Sequence, residues 1–96
     1  GRRFGPGHPA LLTAANNLAV AYWQGGRLDK SIPLLEQTLA AQRKTMGEWH
    51  PDTLRTLTNL GVNYRDEGRL EDAIRVLEQA YEGRNRESAW VGGHLL

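Results

Sequence analysis

Residues 47–74 read GEWHPDTLRTLTNLGVNYRDEGRLEDAI, and residues 5–32 read GPGHPALLTAANNLAVAYWQGGRLDKSI. Laid over one another without a gap, they match His8-Pro9 with His50-Pro51, Asn17-Leu18 with Asn59-Leu60, Val20 with Val62, and Tyr22 with Tyr64. Gly26-Arg27-Leu28 falls on Gly68-Arg69-Leu70, and the register holds through Leu35-Glu36-Gln37 and Leu77-Glu78-Gln79. The interval is 42 residues throughout. A fixed period of this length marks an architecture of supersecondary units, none of which can bury its apolar face alone. The duplication decides the fold before any single residue does.

Each unit carries two helical stripes. Leu12, Ala15, Ala19 and Tyr22 step by three or four residues, as do Leu54, Leu57, Gly61 and Tyr64, with Leu18 and Leu60 widening the stripe. Leu28, Ile32, Leu35 and Leu39 form the second stripe of one unit, and Leu70, Ala73, Ile74, Leu77 and Tyr81 that of the other. This is the period of an amphipathic helix, and a strand would alternate instead. Ala15, Leu18, Ala19 and Tyr22 are expected to face the paired helix.

Pro9 and Pro51 suit the first helical position, where a missing N–H loses nothing. Gly25-Gly26 and Gly68 separate the helices of each pair, and Gly47 closes the first unit. Pro33 is expected to be tolerated close behind a helix start near Asp29. The expected helices are 9–24, 28–46, 51–66 and 70–86. The domain reading is residues 1–7 as the tail of a preceding repeat, 8–49 as unit one and 50–87 as unit two. Residues 88–96 read as the start of a further helix, a truncated repeat or cap. The absence of an initiator Met fits a piece of a longer array.

Composition narrows the function. The 96 residues carry twelve basic and eleven acidic side chains for a net charge of +1, which argues against a nucleic-acid or membrane-surface binder. There is no cysteine, so disulfides and thiolate metal sites are excluded. No apolar run approaches the roughly 20 residues that span a bilayer, and no secretory signal is visible. The expectation is a cytoplasmic module without cofactor.

Leu18, Ala19, Tyr22, Gly26, Ser31, Leu35 and Thr38 in one unit, and Leu60, Gly61, Tyr64, Gly68, Ala73, Leu77 and Ala80 in the other, resemble the tetratricopeptide repeat. The 42-residue period and the linkers Gly5-Pro6-Gly7-His8-Pro9 and Gly47-Glu48-Trp49-His50-Pro51 are similar to the kinesin light chain subtype. Ser31 and Thr38 depart from the usual Ala, and Trp49 from a usually polar linker position. The resemblance implies an all-α, right-handed superhelical solenoid of antiparallel helix pairs whose first helices line a concave face. It also implies a non-catalytic scaffold that binds a peptide or partner protein in that groove, in arrays often joined to kinases or signalling ATPases.

The groove-facing side then carries Thr13, Asn16, Asn17, Val20, Trp23 and Gln24 in unit one. In unit two it carries Arg55, Thr58, Asn59, Val62, Arg65 and Asp66. An amide both donates and accepts, so the Asn residues suit an extended main chain of any sequence. The alternative is that Asn17 and Asn59 bond within the repeat or to the neighbouring helix. Arg55 and Arg65 suit an acidic side chain or terminal carboxylate, or are solvated charges, with Asp66 beside Arg65. Trp23 either anchors a partner, closes a self-interface or packs within the chain. Trp49 is expected to pack on the adjacent unit.

No catalytic constellation emerges. His8 and His50 belong to the linkers, with no carboxylate cluster at ligand spacing, so no metal site is expected. The serines and threonines lack a paired base, and Gly25-Gly26-Arg27 lacks the ending of a phosphate loop. Glu36 and Glu78 read as solvated carboxylates. A second reading is self-association, or spacing within a larger multidomain signalling protein, through apolar faces at the raw ends.

Overall fold

The computed structural model describes residues 8–95, with side chains through residue 86. Four helices follow one another: α1 (Pro9–Gln24), α2 (Leu28–Thr45), α3 (Pro51–Glu67) and α4 (Leu70–Leu95). Residues 1–7, expected as the tail of a preceding repeat, lie outside the described residues.

The His-Pro pairs explain how α1 and α3 begin. His8 and His50 take extended backbone as N-caps, and their ring Nδ1 atoms accept from the N–H of Ala10 at 3.1 Å and of Asp52 at 3.0 Å. An imidazole thus does what a Ser or Asp cap usually does, and the Pro behind it sits where no N–H is needed. Each helix pair turns on a left-handed glycine, Gly26 at φ 77° and Gly68 at φ 89°. These allow the N–H of Arg27 and Arg69 to reach back to the carbonyls of Tyr22 and Tyr64, each at 2.8 Å.

Two local expectations change. Helix α2 starts at Leu28, so Pro33 is its sixth residue and lies beyond the first turn. It therefore gives up one helical hydrogen bond, on an exposed side where water reaches the backbone. Helix α4 runs unbroken to Leu95, where a break before Ser88 and a new helix were expected. No proline interrupts residues 82–95, and continued helix satisfies the backbone without help from a neighbour.

Packing follows chain order. Helix α2 lies against both α1 and α3, and α4 lies against α3. Among the described residues α1 meets α3 over a short stretch and does not touch α4. The thinnest dimension is 18 Å, two helix layers. The core is Ala19, Ile32, Leu35 and Leu39 of the first pair with Leu54, Leu57, Leu60, Tyr64, Ala73, Val76 and Ala80 of the second. Each fully buried leucine contributes about 1.5–3 kcal/mol. Small residues stand where backbones approach: Ala19, Ser31, Gly61 and Ala73 are all buried.

The repeat shows what a neighbour does. Leu60 is 1% exposed because α2 covers it, whereas its counterpart Leu18, expected to be buried, is 47% exposed with no helix before α1 among the described residues. Ile32 is 6% exposed under α3, and its counterpart Ile74 on the outer side of α4 is 55% exposed.

Trp49 packs on the following unit, as expected. A Cβ on Gly83 of α4 would stand 2.4 Å from Leu54 Cδ2 and 3.0 Å from the Trp49 ring. The Arg86 guanidinium stacks 4.6 Å above that ring. Helix propensity alone favours Ala over Gly by about 1 kcal/mol. Leu54 is fully buried and cannot step aside. Gly83→Ala is therefore expected to destabilise the chain by about 1–2 kcal/mol in urea unfolding, reversing the sign that propensity gives.

Candidate binding groove

Stacking the two helix pairs brings α1 and α3 side by side and leaves a depression between them. It encloses about 140 Å³ and is lined by Val20, Trp23, Leu35, Asn59, Val62 and Asn63. Four of these, Val20, Trp23, Asn59 and Val62, are groove residues expected from the sequence. Leu35 of α2 forms the floor, and Asn63 lies one turn beyond Asn59. Neither was among the expected residues, although the spacing of four from Asn59 places Asn63 on the same stripe.

Trp23 braces the groove. Its Nε1–H donates to the Asp66 carboxylate at 2.6 Å, linking α1 to α3 across the repeat boundary. The ring remains half-buried. Trp23 therefore packs within the chain and still leaves part of its ring accessible. Arg65 sits 3.5 Å from the other Asp66 oxygen, and Arg55 is 3.9 Å from Asp52, both with exposed guanidinium groups. The two arginines are ten residues apart on α3, about 15 Å along its axis, too far for one carboxylate.

Asn16 is a correction. It was expected in the groove, but it is 5% exposed and its amide is used on both sides. Its Nδ2 donates to Thr56 Oγ1 at 2.8 Å, and its Oδ1 accepts from Asn59 Nδ2 at 3.1 Å. A buried amide must be satisfied inside the protein, and this one is satisfied by the next repeat. Asn59 shares that bond but stays partly exposed. Thr58 donates to the Leu54 carbonyl of its own helix at 3.1 Å. Thr13, Asn17, Gln24 and Arg55 are exposed and do not line the depression.

Beneath the groove the bonds continue. Thr56 Oγ1 donates to Gln42 Oε1 at 2.5 Å, Ser31 Oγ donates to Asn63 Oδ1, and Asn63 Nδ2 donates to the Asn59 carbonyl at 2.7 Å. The departure of Ser31 from Ala thus has a partner. No buried side-chain nitrogen or oxygen among the described residues is left without one.

On the opposite edge Tyr64 OH donates to Glu36 Oε2 at 2.5 Å, so Glu36, exposed as the sequence suggested, also joins the two repeats. Arg69 stacks 4.3 Å over the Tyr64 ring and pairs with Asp72 at 2.9 Å. Hydrogen bonds from Arg69 and Arg75 hold the Asp72 carboxyl below the usual range. Among the described residues no three His, Asp or Glu gather to hold a metal ion.

A family model described as tetratricopeptide repeat matches residues 10–86. The chain belongs to the tetratricopeptide repeat family. Its repeats are of the kinesin light chain type. A crystal structure of a kinesin light chain-like protein from Podosopora anserina, with nearly identical TPR-like repeats, superposes with a TM-score of 0.84 at 31% identity, covering 88% of this chain and 40% of that one. A single-substitution variant of the same protein gives 0.78 at 30% identity, with 90% and 41% covered. The chain thus spans about two fifths of the length of these structures. No curated protein matches it. Tetratricopeptide repeats mediate protein–protein interactions and form a non-catalytic scaffold family. No helix among the described residues is long and apolar enough to cross a membrane.

Burial, reinforced by the bond to Glu36, pushes the Tyr64 hydroxyl from 10.0 up to about 12. A folded-state value above the unfolded one stabilises the fold fully below the unfolded pKa and ceases to as pH rises through the folded one. Stability from Tyr64 is therefore expected to be constant up to pH 10 and to fall between 10 and about 12. Chemical denaturation across that window, compared with Tyr64→Phe, checks it. The variant is less stable at neutral pH and loses less over the window.

Proposed function

We propose that this chain is a docking module that binds an extended peptide or a partner-protein segment along the groove between α1 and α3. The observation that supports this most is the depression walled by Val20, Trp23 and Val62 and rimmed by polar groups, Asn59 above all. At about 30 Å³ per water, its volume is that of four or five waters and suits one aliphatic side chain. Apolar walls with a few placed polar groups are the usual make-up of a binding site.

The partly exposed amide of Asn59 is placed to meet main chain, and the exposed guanidinium groups of Arg55 and Arg65 suit acidic side chains flanking the anchor. Each arginine already faces a carboxylate, so the acid preference is secondary to the aliphatic anchor. The near balance of charge disfavours nucleic acid, and we place the module in the cytoplasm without cofactor or catalysis of its own. Asn17, Thr13, Gln24 and Thr58 extend the contact surface on either side.

A second reading, self-association or spacing within a larger multidomain protein, is favoured by a different observation. Leu11 and Leu18 on α1, and Leu70, Ile74, Leu77 and Tyr81 on α4, are exposed. Such patches mark interaction surfaces.

Selection from a random peptide library displayed on phage tests the groove. Enriched peptides are expected to share one aliphatic position and to bind in the micromolar range. Val62→Glu, which places a charge in the depression, is expected to weaken them at least tenfold by calorimetry, and Trp23→Ala to do so by a similar factor. Unchanged affinity in both variants removes the groove assignment.

A further inference from the structure

We infer that this chain stacks head to tail on a second copy of itself, the outer face of α4 in one copy covering the open face of α1 in the next, in the geometry of the α2–α3 junction. The inference rests on the self-association reading and specifies its surfaces, its polarity and its residue pairs.

The warrant is the 42-residue register. Residues of α4 stand where residues of α2 stand, and residues of α1 stand where those of α3 stand, so each contact of the α2–α3 junction names a pair between copies. The apolar half transfers directly. Leu70, Ile74, Leu77 and Tyr81 repeat Leu28, Ile32, Leu35 and Leu39, and Leu18 repeats Leu60. These are buried or partly buried in the middle of the chain and exposed at its two faces, Tyr81 at 73%.

The polar half discriminates. The Tyr64–Glu36 bond across the inner junction becomes Tyr22 with Glu78, both identities kept. The buried Ser31–Asn63 pair becomes Ala73 with Ala21, so both members have turned apolar together. Had one alone changed, a polar group would be buried without a partner at a cost that proteins avoid. The Trp23 N–H that faces Asp66 becomes an Arg65 donor facing the Gln24 amide, again donor against acceptor. The match fails around Ala14, which stands where Thr56 holds both Asn16 and Gln42. Arg84 replaces Gln42 there and its charge must reach the rim, while Thr58 replaces Asn16 and bonds to the Leu54 carbonyl of its own helix instead.

A face on one end matched to a different face on the other end gives a heterologous contact, which propagates as an open series instead of closing as a dimer. Helices α1 and α4 do not touch within one copy among the described residues. Any coupling between Tyr22 and Glu78 therefore has to arise between copies.

Sedimentation of the 96-residue chain across the micromolar to millimolar range tests this. Weight-average mass is expected to climb without a plateau at dimer. Leu18→Arg and Ile74→Arg replace exposed side chains, and circular dichroism confirms that each variant folds. Each alone is expected to be monomeric. An equimolar mixture is expected to form a one-to-one dimer and nothing larger, because each variant retains the face that the other has lost. Tyr22→Phe and Glu78→Gln are each expected to weaken association about tenfold, and together by little more than either alone. Arg84→Ala is expected to strengthen it.

A wild-type chain that stays monomeric throughout overturns the inference together with self-association. A closed dimer that survives in either arginine variant, or a mixture that does not associate, overturns the head-to-tail assignment and leaves self-association by another surface. Additive effects of Tyr22→Phe and Glu78→Gln overturn the register.

Discussion

A helical hairpin has an apolar stripe wider than its own partner helix can cover, and everything else in this chain follows from how that excess is hidden. Helices α2 and α3 are the ones with a neighbour on both flanks among the described residues, and between them Leu35 and Leu60 are sealed almost completely. The same positions on the outer flanks, Leu18 and Leu77, retain substantial exposure. The fold is accordingly a set of nearest-neighbour contacts, and its stability is a property of junctions more than of units. Propensity contributes the caps and turns. The junction contributes the reason to fold.

Apolar contact alone would let the two pairs slide, since greasy surfaces are tolerant of register. The polar bonds within the junction remove that tolerance. Asn16, Thr56, Gln42 and Asn59 are satisfied only when α1, α2 and α3 lie in one alignment. A shift by one residue would strand several of these buried groups, at about 1–3 kcal/mol each. The bonds therefore act less as a source of stability than as a gauge of position. That alignment in turn fixes the distance between α1 and α3, and so the width of the groove. Trp23 and Asp66 span this gap at its open end, where the bond is reachable by water and by any guest.

The helices, their caps and their turns were legible because they depend on local chemistry. His-Pro at a helix start, a left-handed glycine and a three-four periodicity each carry their meaning within a few residues. Three of four helix ranges follow from them almost to the residue. The extension of α4 was not legible, because the apolar residues after Ser88 read equally as a new helix or as the continuation of an old one. The groove was half legible. Val20, Trp23, Asn59 and Val62 lie on a face that one helix defines, so a helical wheel finds them. Asn16 lies on the edge of that face, and only the position of α3 decides that it is buried. Glu36 on the other edge stays exposed, but its bond was equally hidden from the sequence, since Tyr64, its donor, comes from the following repeat. What a single helix determines can be read along the chain, and what two repeats determine jointly cannot.

A duplicated hairpin begins with two outer faces that fit each other, simply because they are copies of the two faces that meet inside it. Drift erodes this fit unless something keeps the faces together. At independent positions, erosion exchanges one partner at a time and leaves polar groups opposite apolar ones. The outer faces here show that pattern at Ala14 and escape it at two other pairs. Where the inner junction pairs Ser31 with Asn63, the outer faces carry alanine on both sides, and where it pairs Tyr64 with Glu36 they keep tyrosine and glutamate. Ala14 breaks the match, standing opposite Arg84 and Thr58 where Thr56 holds Gln42 and Asn16. The pairs kept in kind elsewhere leave the two faces chemically able to meet across copies, with Ala14 the one place where the fit has to adjust.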